Sequence, residues 1–240
     1  MKGIYVFMTV CLFSMSLTAQ EKVFVNDALA QERKVPSFSE ISVASSIDLF
    51  LSPDDKEVVV VSAAEPGYRD RIITRVEGNQ LKIYFDYKGF GHIPFNMKMK
   101  AYVSFRTLSR IIASGSSDVY VNGIIKSDRL HINLSGSSDF RGAVDVGDLS
   151  FDQSGSSDSQ VSGRAEKLAV GNSGASDFKG FALVVNYCKV HVSGSSDVQI
   201  TVNKEISVEA SGASDVEYKG SAMIRDVQSS GASSVSRKDR

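Results

Sequence analysis

The chain has 240 residues, room for one large domain or two small ones, and is 42% hydrophobic and 23% charged with a formal net charge of −1. That balance excludes a disordered chain and supplies no basic field for nucleic acid. Two cysteines and three histidines exclude a disulfide scaffold, a four-cysteine zinc site and a His-rich metal site.

The first segment, residues 1–19, has the pattern of a signal peptide. Lys2 is a short basic region, Gly3 to Leu17 is apolar, and small residues lie near Ala19. Cleavage is expected after Ala19 or close to it, although Leu17 fits the usual small-residue rule poorly. Val10 before Cys11 argues against a lipid-modified cysteine. The run is too short for a good membrane span, and no later segment has 18 uninterrupted apolar residues, so no transmembrane anchor is expected. Cys188 would then be the single cysteine of the exported chain, and its place in an apolar column predicts a buried thiol.

Residues 20–35 are polar and read as a loose leader. Residues 36–240 read as one β-domain, irregular over 36–112 and regular over 113–236. In the irregular part Ile41, Val43, Ile47, Leu49 and Leu51 alternate with polar residues, as in a strand with one buried face. Val43-Ala44-Ser45-Ser46-Ile47 is similar to a degenerate coil corner. Val58 to Val61 reads as a continuously buried strand. Residues 65–75 are expected to hold one or two helical turns, and Val76 to Leu81 a tight turn between strands.

The segment from Asp86 to Met97 breaks the alternation. It is Gly-rich and aromatic, and Tyr87, Phe90, His92 and Phe95 are its candidate binding residues, since inserted loops form the binding face of many solenoids. The competing reading packs Phe90 and Phe95 back over an open end of the fold.

From residue 114 a repeat takes over. S-G-S-S-D stands at Ser114–Asp118, Ser135–Asp139, Ser154–Asp158 and Ser193–Asp197, and S-G-A-S-D at Ser173–Asp177 and Ser211–Asp215. A worn S-G-A-S-S ends at Ser234. The glycines Gly115, Gly136, Gly155, Gly174, Gly194, Gly212 and Gly231 are spaced by 21, 19, 19, 20, 18 and 19 residues. Three residues before each first Ser stand Ile111, Ile132, Phe151, Val170, Val190, Val208 and Val227. Five before stand Ser109, Leu130, Leu149, Leu168, Cys188, Ile206 and Arg225. Just after each Asp stand Val119, Phe140, Ser159, Phe178, Val198, Val216 and Val235. Each repeat is therefore strand, small-residue corner, strand, and a unit of about 20 residues without helical periodicity is a coil of a parallel β-solenoid.

Three readings compete for the repeated Ser and Asp. In the structural one, Gly takes positive φ at the corner while Ser and the ladder Asp118, Asp139, Asp158, Asp177, Asp197 and Asp215 cap free backbone N–H groups. In the second the carboxylates hold calcium or another hard cation. In the third they catalyse glycoside hydrolysis. Identical carboxylates in identical contexts single out no catalytic pair, and the Ser hydroxyls and turn amides can offset their repulsion without metal. The structural reading is favoured, with no metal, cofactor or catalytic residue assigned. His131 and His191 fall in different outward columns and read as solvated side chains.

The repeated S-G-S-S-D-V and S-G-A-S-D-V corners resemble the head-GIN domain, the putative auto-transporter adhesin family. The resemblance extends to Phe38-Ser39-Glu40-Ile41-Ser42-Val43, Ile47-Asp48-Leu49, Val76 to Ile83 and Leu108 to Val119, and covers about residues 36–236. Ser46-Ile47-Asp48 stands where the family has Gly-Ile-Asn. The resemblance implies a right-handed parallel β-helix and an exported, envelope-associated protein of Gram-negative bacteria in the periplasm, on the outer membrane or outside the cell. It carries no catalytic residues over. Two functions follow: a non-catalytic surface scaffold that binds a glycan or a cell-surface protein, or a carbohydrate-active enzyme, which rests on fold analogy alone.

Overall fold

A computed structural model describes residues 27–89 and 96–238. The expected signal peptide lies outside the described residues. Among those described, no helix is long and apolar enough to cross a membrane.

Parallel coils of about 19 residues stack into a β-solenoid of about seven turns. The strands Val119–Leu134, Phe140–Gln153, Ser159–Asn172, Phe178–Val192 and Val198–Ala210 pair in parallel, each with the next. Their register is the one that the repeat implies. Val119, Phe140, Ser159, Phe178, Val198, Val216 and Val235 form one ladder, extended backwards by Leu49. Ile111, Ile132, Phe151, Val170, Val190, Val208 and Val227 form another, extended backwards by Ile41. A strand turns alternate side chains to opposite faces, so both apolar columns point inward, and all but their last members are buried.

Two members of the column five residues before the corner depart from expectation. Ser109 is exposed, and Leu108 fills the interior in its place. At the far end Ile224, not Arg225, pairs with Ile206, because a register shift displaces Arg225 outward. Arg225 there meets Glu205 at 2.9 Å. The bulge keeps an apolar side chain in the inward column and a guanidinium in water.

Phe140, Phe151 and Phe178 meet edge to face at 5.5 and 5.2 Å in the centre of the core. Ser159 lies between two of these rings in its ladder and is buried. Its hydroxyl donates to Gln153 Oε1 at 2.8 Å. Gln153 Nε2 in turn donates to the Ser157 carbonyl at 2.7 Å, and Asn172 Nδ2 to the Ser176 carbonyl at 3.2 Å. The amide groups of Gln153 and Asn172 are tolerated inside because they satisfy corner carbonyls that face inward, and Ser159 because it satisfies Gln153.

The irregular segment builds the other end. Asp48–Pro53 lies parallel between Lys100–Phe105 and the strand starting at Val119. Val58–Ser62 runs antiparallel to Lys100–Phe105, and Gln31–Arg33 antiparallel to Val58–Ser62. Part of the polar leader is thus an edge strand. Val58–Ser62 is not buried on both faces: Val59 and Val61 point into the core, while Val58 and Val60 are half-buried. Ile72–Glu77 and Gln80–Phe85 form a hairpin that turns at Gly78-Asn79, with Gly78 at φ +64°. One helical turn, Pro66–Arg69, lies in the 65–75 window. Antiparallel strands thus close this end.

Candidate functional site

The glycine, the fourth-position Ser and the Asp of the repeated corner make recurring hydrogen bonds from coil to coil. Its glycine takes φ between +74° and +87°, and its carbonyl accepts an N–H from the next corner, as Gly136 does from Ser156 at 2.8 Å. The fourth residue of each corner, Ser117 through Ser214, is fully buried. Its hydroxyl bonds backbone: Ser176 Oγ donates to the Ser173 carbonyl at 3.0 Å, and Ser138 Oγ accepts from Ser117 N at 3.2 Å. The Asp carboxylates point along the stack. Asp118 Oδ1 accepts from Asp139 N at 3.1 Å, Asp139 Oδ1 from Asp158 N at 3.1 Å, and Asp158 Oδ1 from Asp177 N at 3.4 Å. The corner at Ala44 to Asp48 joins this series, with Ser45 at φ 69° where the others have glycine and Ser46 at φ 58° beside it. Among the described residues no three His, Cys, Asp or Glu side chains are grouped to hold a metal ion.

The carboxylates repel one another. Burial, and then the neighbouring charges of Asp118 and Asp158, push the Asp139 carboxyl above its ordinary range. Burial raises Asp197 and Asp48 in the same way. An Asp with a raised folded-state pKa lowers stability when ionised. The cost is full above the folded value, shrinks as pH falls through it and is gone below the unfolded value. Asp139→Asn keeps the acceptor for Asp158 N and removes the charge. Its melting temperature should equal or exceed that of the parent chain at neutral pH, and the advantage should vanish on acidification below the ordinary carboxylate range. Asp158→Leu loses the acceptor and should cost about 1 kcal/mol. Thermal melts from neutral to acid pH check both: a lower melting temperature for Asp139→Asn at neutral pH would refute the net repulsion, and an unchanged one for Asp158→Leu would refute the capping role.

The sheet before the corners carries a groove of about 560 Å³ along the stack. The register sets its walls. Arg129, Asp148, Lys167, Tyr187 and Glu205 form one outward column, and His131, Ser150, Ala169, Lys189 and Ser207 another. A third column holds Asn133, Asp152, Gly171, His191 and Glu209. The groove exists because Ser150, Ala169 and Gly171 project little between the larger side chains on either side. A smaller hollow of about 320 Å³ continues it over Gly171. Asp148 lies 3.6 Å from Arg129 and 3.8 Å from Lys167, while Arg225 pairs with Glu205. No partner for Lys189 occurs among the described residues. Arg129, Lys167, Lys189 and Arg225 face only Asp148 and Glu205 among the groove's charges, an excess of two positive charges. Tyr187 is 39% exposed, with Lys204 Nζ 5.1 Å from its ring centre. Cys188 lies under the groove, and burial pushes its thiol up to about 12, so it stays protonated and unreactive.

A second groove, about 690 Å³, crosses the sheet after the corners past Tyr120, Arg141, Gln160, Lys179 and Gln199. Its groups are largely committed. Lys179 lies 3.2 Å from Asp158 and 3.5 Å from Asp177, and Arg141 lies 4.0 Å from Asp139. Tyr102, Phe50 and Tyr120 stack on one another at 5.1 and 5.2 Å, so their faces are used within the fold.

Of the loop residues predicted to bind, Phe90, His92 and Phe95 lie outside the described residues. Tyr87 is 37% exposed, meets Phe85 edge-on at 4.8 Å and reaches the Ser45 carbonyl at 3.4 Å. His131 and His191 stand in different columns, near Asp152 at 3.4 Å and Glu209 at 3.1 Å respectively. The sequence taken coil by coil does not show the groove. Its signal is three small residues in outward columns, visible only once the repeats are laid in register.

The chain is similar in structure to a putative adhesin from Bacteroides fragilis, at 21% identity over 88% of this chain and 96% of that one, with a TM-score of 0.79. A putative adhesin from Parabacteroides merdae matches at 18% identity over 88% and 95%, with a TM-score of 0.69. A putative lipid binding protein from Parabacteroides distasonis matches at 20% identity over 88% and 96%, with a TM-score of 0.65. At these identities the likeness is one of fold. No functionally curated protein matches the chain. The family model described as "putative auto-transporter adhesin, head GIN domain" matches residues 37–222, and with the corner ladder it places this chain in the head-GIN domain family.

Proposed function

We propose that this chain is an exported, non-catalytic binding scaffold and that an extended acidic glycan lies along the groove between Arg129 and Arg225. The observation that carries this reading is the excess of two positive charges in a groove that crosses several coils. Coils repeat at roughly 4.8 Å, so a polymer laid along the axis meets a new rung of side chains with each short advance. Lys189, without a partner among the described residues, supplies the charge for an acidic group. Tyr187 offers a ring edge and hydroxyl at the rim. Export is supported by the apolar Gly3 to Leu17 segment after Lys2 and by the adhesin description of the family. The non-catalytic reading is supported by the groove carboxylates, since Asp148 and Glu205 are each paired with cations.

An array of uronate-containing, sulfated and neutral glycans tests this, alongside a screen for polysaccharide breakdown. Acidic glycans should bind, and more weakly as salt rises. Lys189→Glu should weaken binding about tenfold, the equivalent of ~1.4 kcal/mol, without changing the β-sheet spectrum. Tyr87→Ala separates the groove from the loop at residues 86–97: if it abolishes binding while Lys189→Glu does not, the loop is the site. Equal binding of neutral glycans would refute the charge argument. Cleavage of any polysaccharide, stopped by changing one exposed carboxylate, would make the protein an enzyme.

A further inference from the structure

The two ends of the solenoid differ. The end built from residues 31–105 is closed by antiparallel strands. At the other end, Met223–Ser229 pairs only with Val198–Ala210, and Ser234–Arg237 only with Asp215–Lys219, among the described residues. Among the described residues, nothing pairs with the second edge of either strand, and its N–H and C=O groups point away from the stack. Among the described residues the inward columns also finish without cover. Ile224 and Val227 stand above the buried Ile206 and Val208, yet they are 53% and 38% exposed, and Met223 beside them is 74% exposed. An open edge with exposed apolar groups is a template for another strand, and solenoid ends ordinarily carry polar caps.

We propose that this open end docks against the same end of a second copy of the chain, with Met223–Ser229 pairing antiparallel to itself about a two-fold axis between Arg225 and Asp226. The sequence and the bulge together favour this occupant. In that register Arg225 faces Asp226 twice, Ile224 faces Val227 twice, and Met223 faces Gln228. In a regular strand, residues three apart point to opposite sides, which would set Ile224 against Val227 across the sheet. The shift at Arg225 removes this conflict. Ile224 and Val227 both lie in inward columns and Asp226 opposite the outward Ser207, so the order from 224 to 227 is in, out, out, in. That pattern reads the same in both directions, as an isologous contact requires. Opposite charges directly across an antiparallel pair attract and like charges repel, so the register is set by its charges as well as its apolar groups.

Charge exchange tests the proposal on the purified chain, with sedimentation or light scattering across a concentration series. The parent chain should show a reversible monomer–dimer equilibrium. Arg225→Asp places Asp against Asp, and Asp226→Arg places Arg against Arg, so each alone should weaken the dimer at least about tenfold. The two together restore opposite charges and should restore the dimer. Melting curves of each variant verify folding. As a readout without charge reversal, Met223→Cys with Gln228→Cys should form a disulfide between protomers on oxidation, while Glu166→Cys, on the side of the stack, should not. A monomer at every soluble concentration, including one whose open end is covered by residues of its own chain, overturns the proposal. So does a dimer unaffected by the single exchanges, or a double exchange that fails to rescue.

Discussion

Gly155→Ala is expected to destabilise the solenoid by about 3 kcal/mol or more, while Gly115→Ala loses only about 1–2 kcal/mol. The two glycines have the same backbone conformation, φ +83° and +82°, so the cost of a side chain in the left-handed region is common to both. They differ in what lies before them along the stack. A Cβ on Gly155 would stand 2.4 Å from the Gly136 carbonyl oxygen, which is held in place by its hydrogen bond from Ser156. A Cβ on Gly115 meets only the Ser45 nitrogen at 3.7 Å, an ordinary contact. The alanine at 155 must therefore separate two coils or rotate a corner carbonyl out of its hydrogen bond. The corner at Ser45 and Ser46 already shows that the conformation alone is tolerated without glycine. Denaturant midpoints of the two variants measure the difference. Equal losses would mean that positive φ, and not the close approach of the coils, keeps glycine in the ladder.

The second large effect concerns the aromatic centre of the core. Phe151→Ala should lower stability by about 3–5 kcal/mol, the range for emptying a fully packed aromatic site. Phe151 is completely buried and contacts both Phe140 and Phe178 edge to face. Its removal leaves a void between two coils, and the hydrogen-bonded Ser159 and Gln153 beside it cannot move in without losing their bonds. Val227→Ala occupies the same column at the open end, where it is 38% exposed, and at concentrations where the chain is monomeric it should change stability by less than about 0.5 kcal/mol. Urea titrations should show the midpoint fall for Phe151→Ala with little change in slope. Similar small losses for both variants would mean that the coils relax to fill the space.

Much of the architecture could be read from the residues because each coil carries its own instructions. The glycine of the corner, the Ser and Asp beside it and the apolar residues three before and one after recur at nearly constant spacing, and stacking like on like fixes the register. Alternation also marked Glu40–Val43 and Asp48–Pro53, and the hairpin turn stands at Gly78-Asn79.

What the tertiary structure alone decided are the features that do not repeat. Gln153, Ser159 and Asn172 look like errors in apolar columns until the inward corner carbonyls that Gln153 and Asn172 bond, and the bond from Ser159 to Gln153, are in view. Counting residues sets Arg225 in an apolar column, because counting cannot detect a bulge. Gln31–Arg33 reads as a polar leader because an edge strand with few buried side chains needs little apolar sequence. The groove depends on Ser150, Ala169 and Gly171 lying between larger neighbours that are about 20 residues away in sequence and one coil away in space. Corner and column are written in each repeat by local backbone geometry and burial. The groove and the open end arise from which coil lies beside which, a relation that exists only once the chain has stacked.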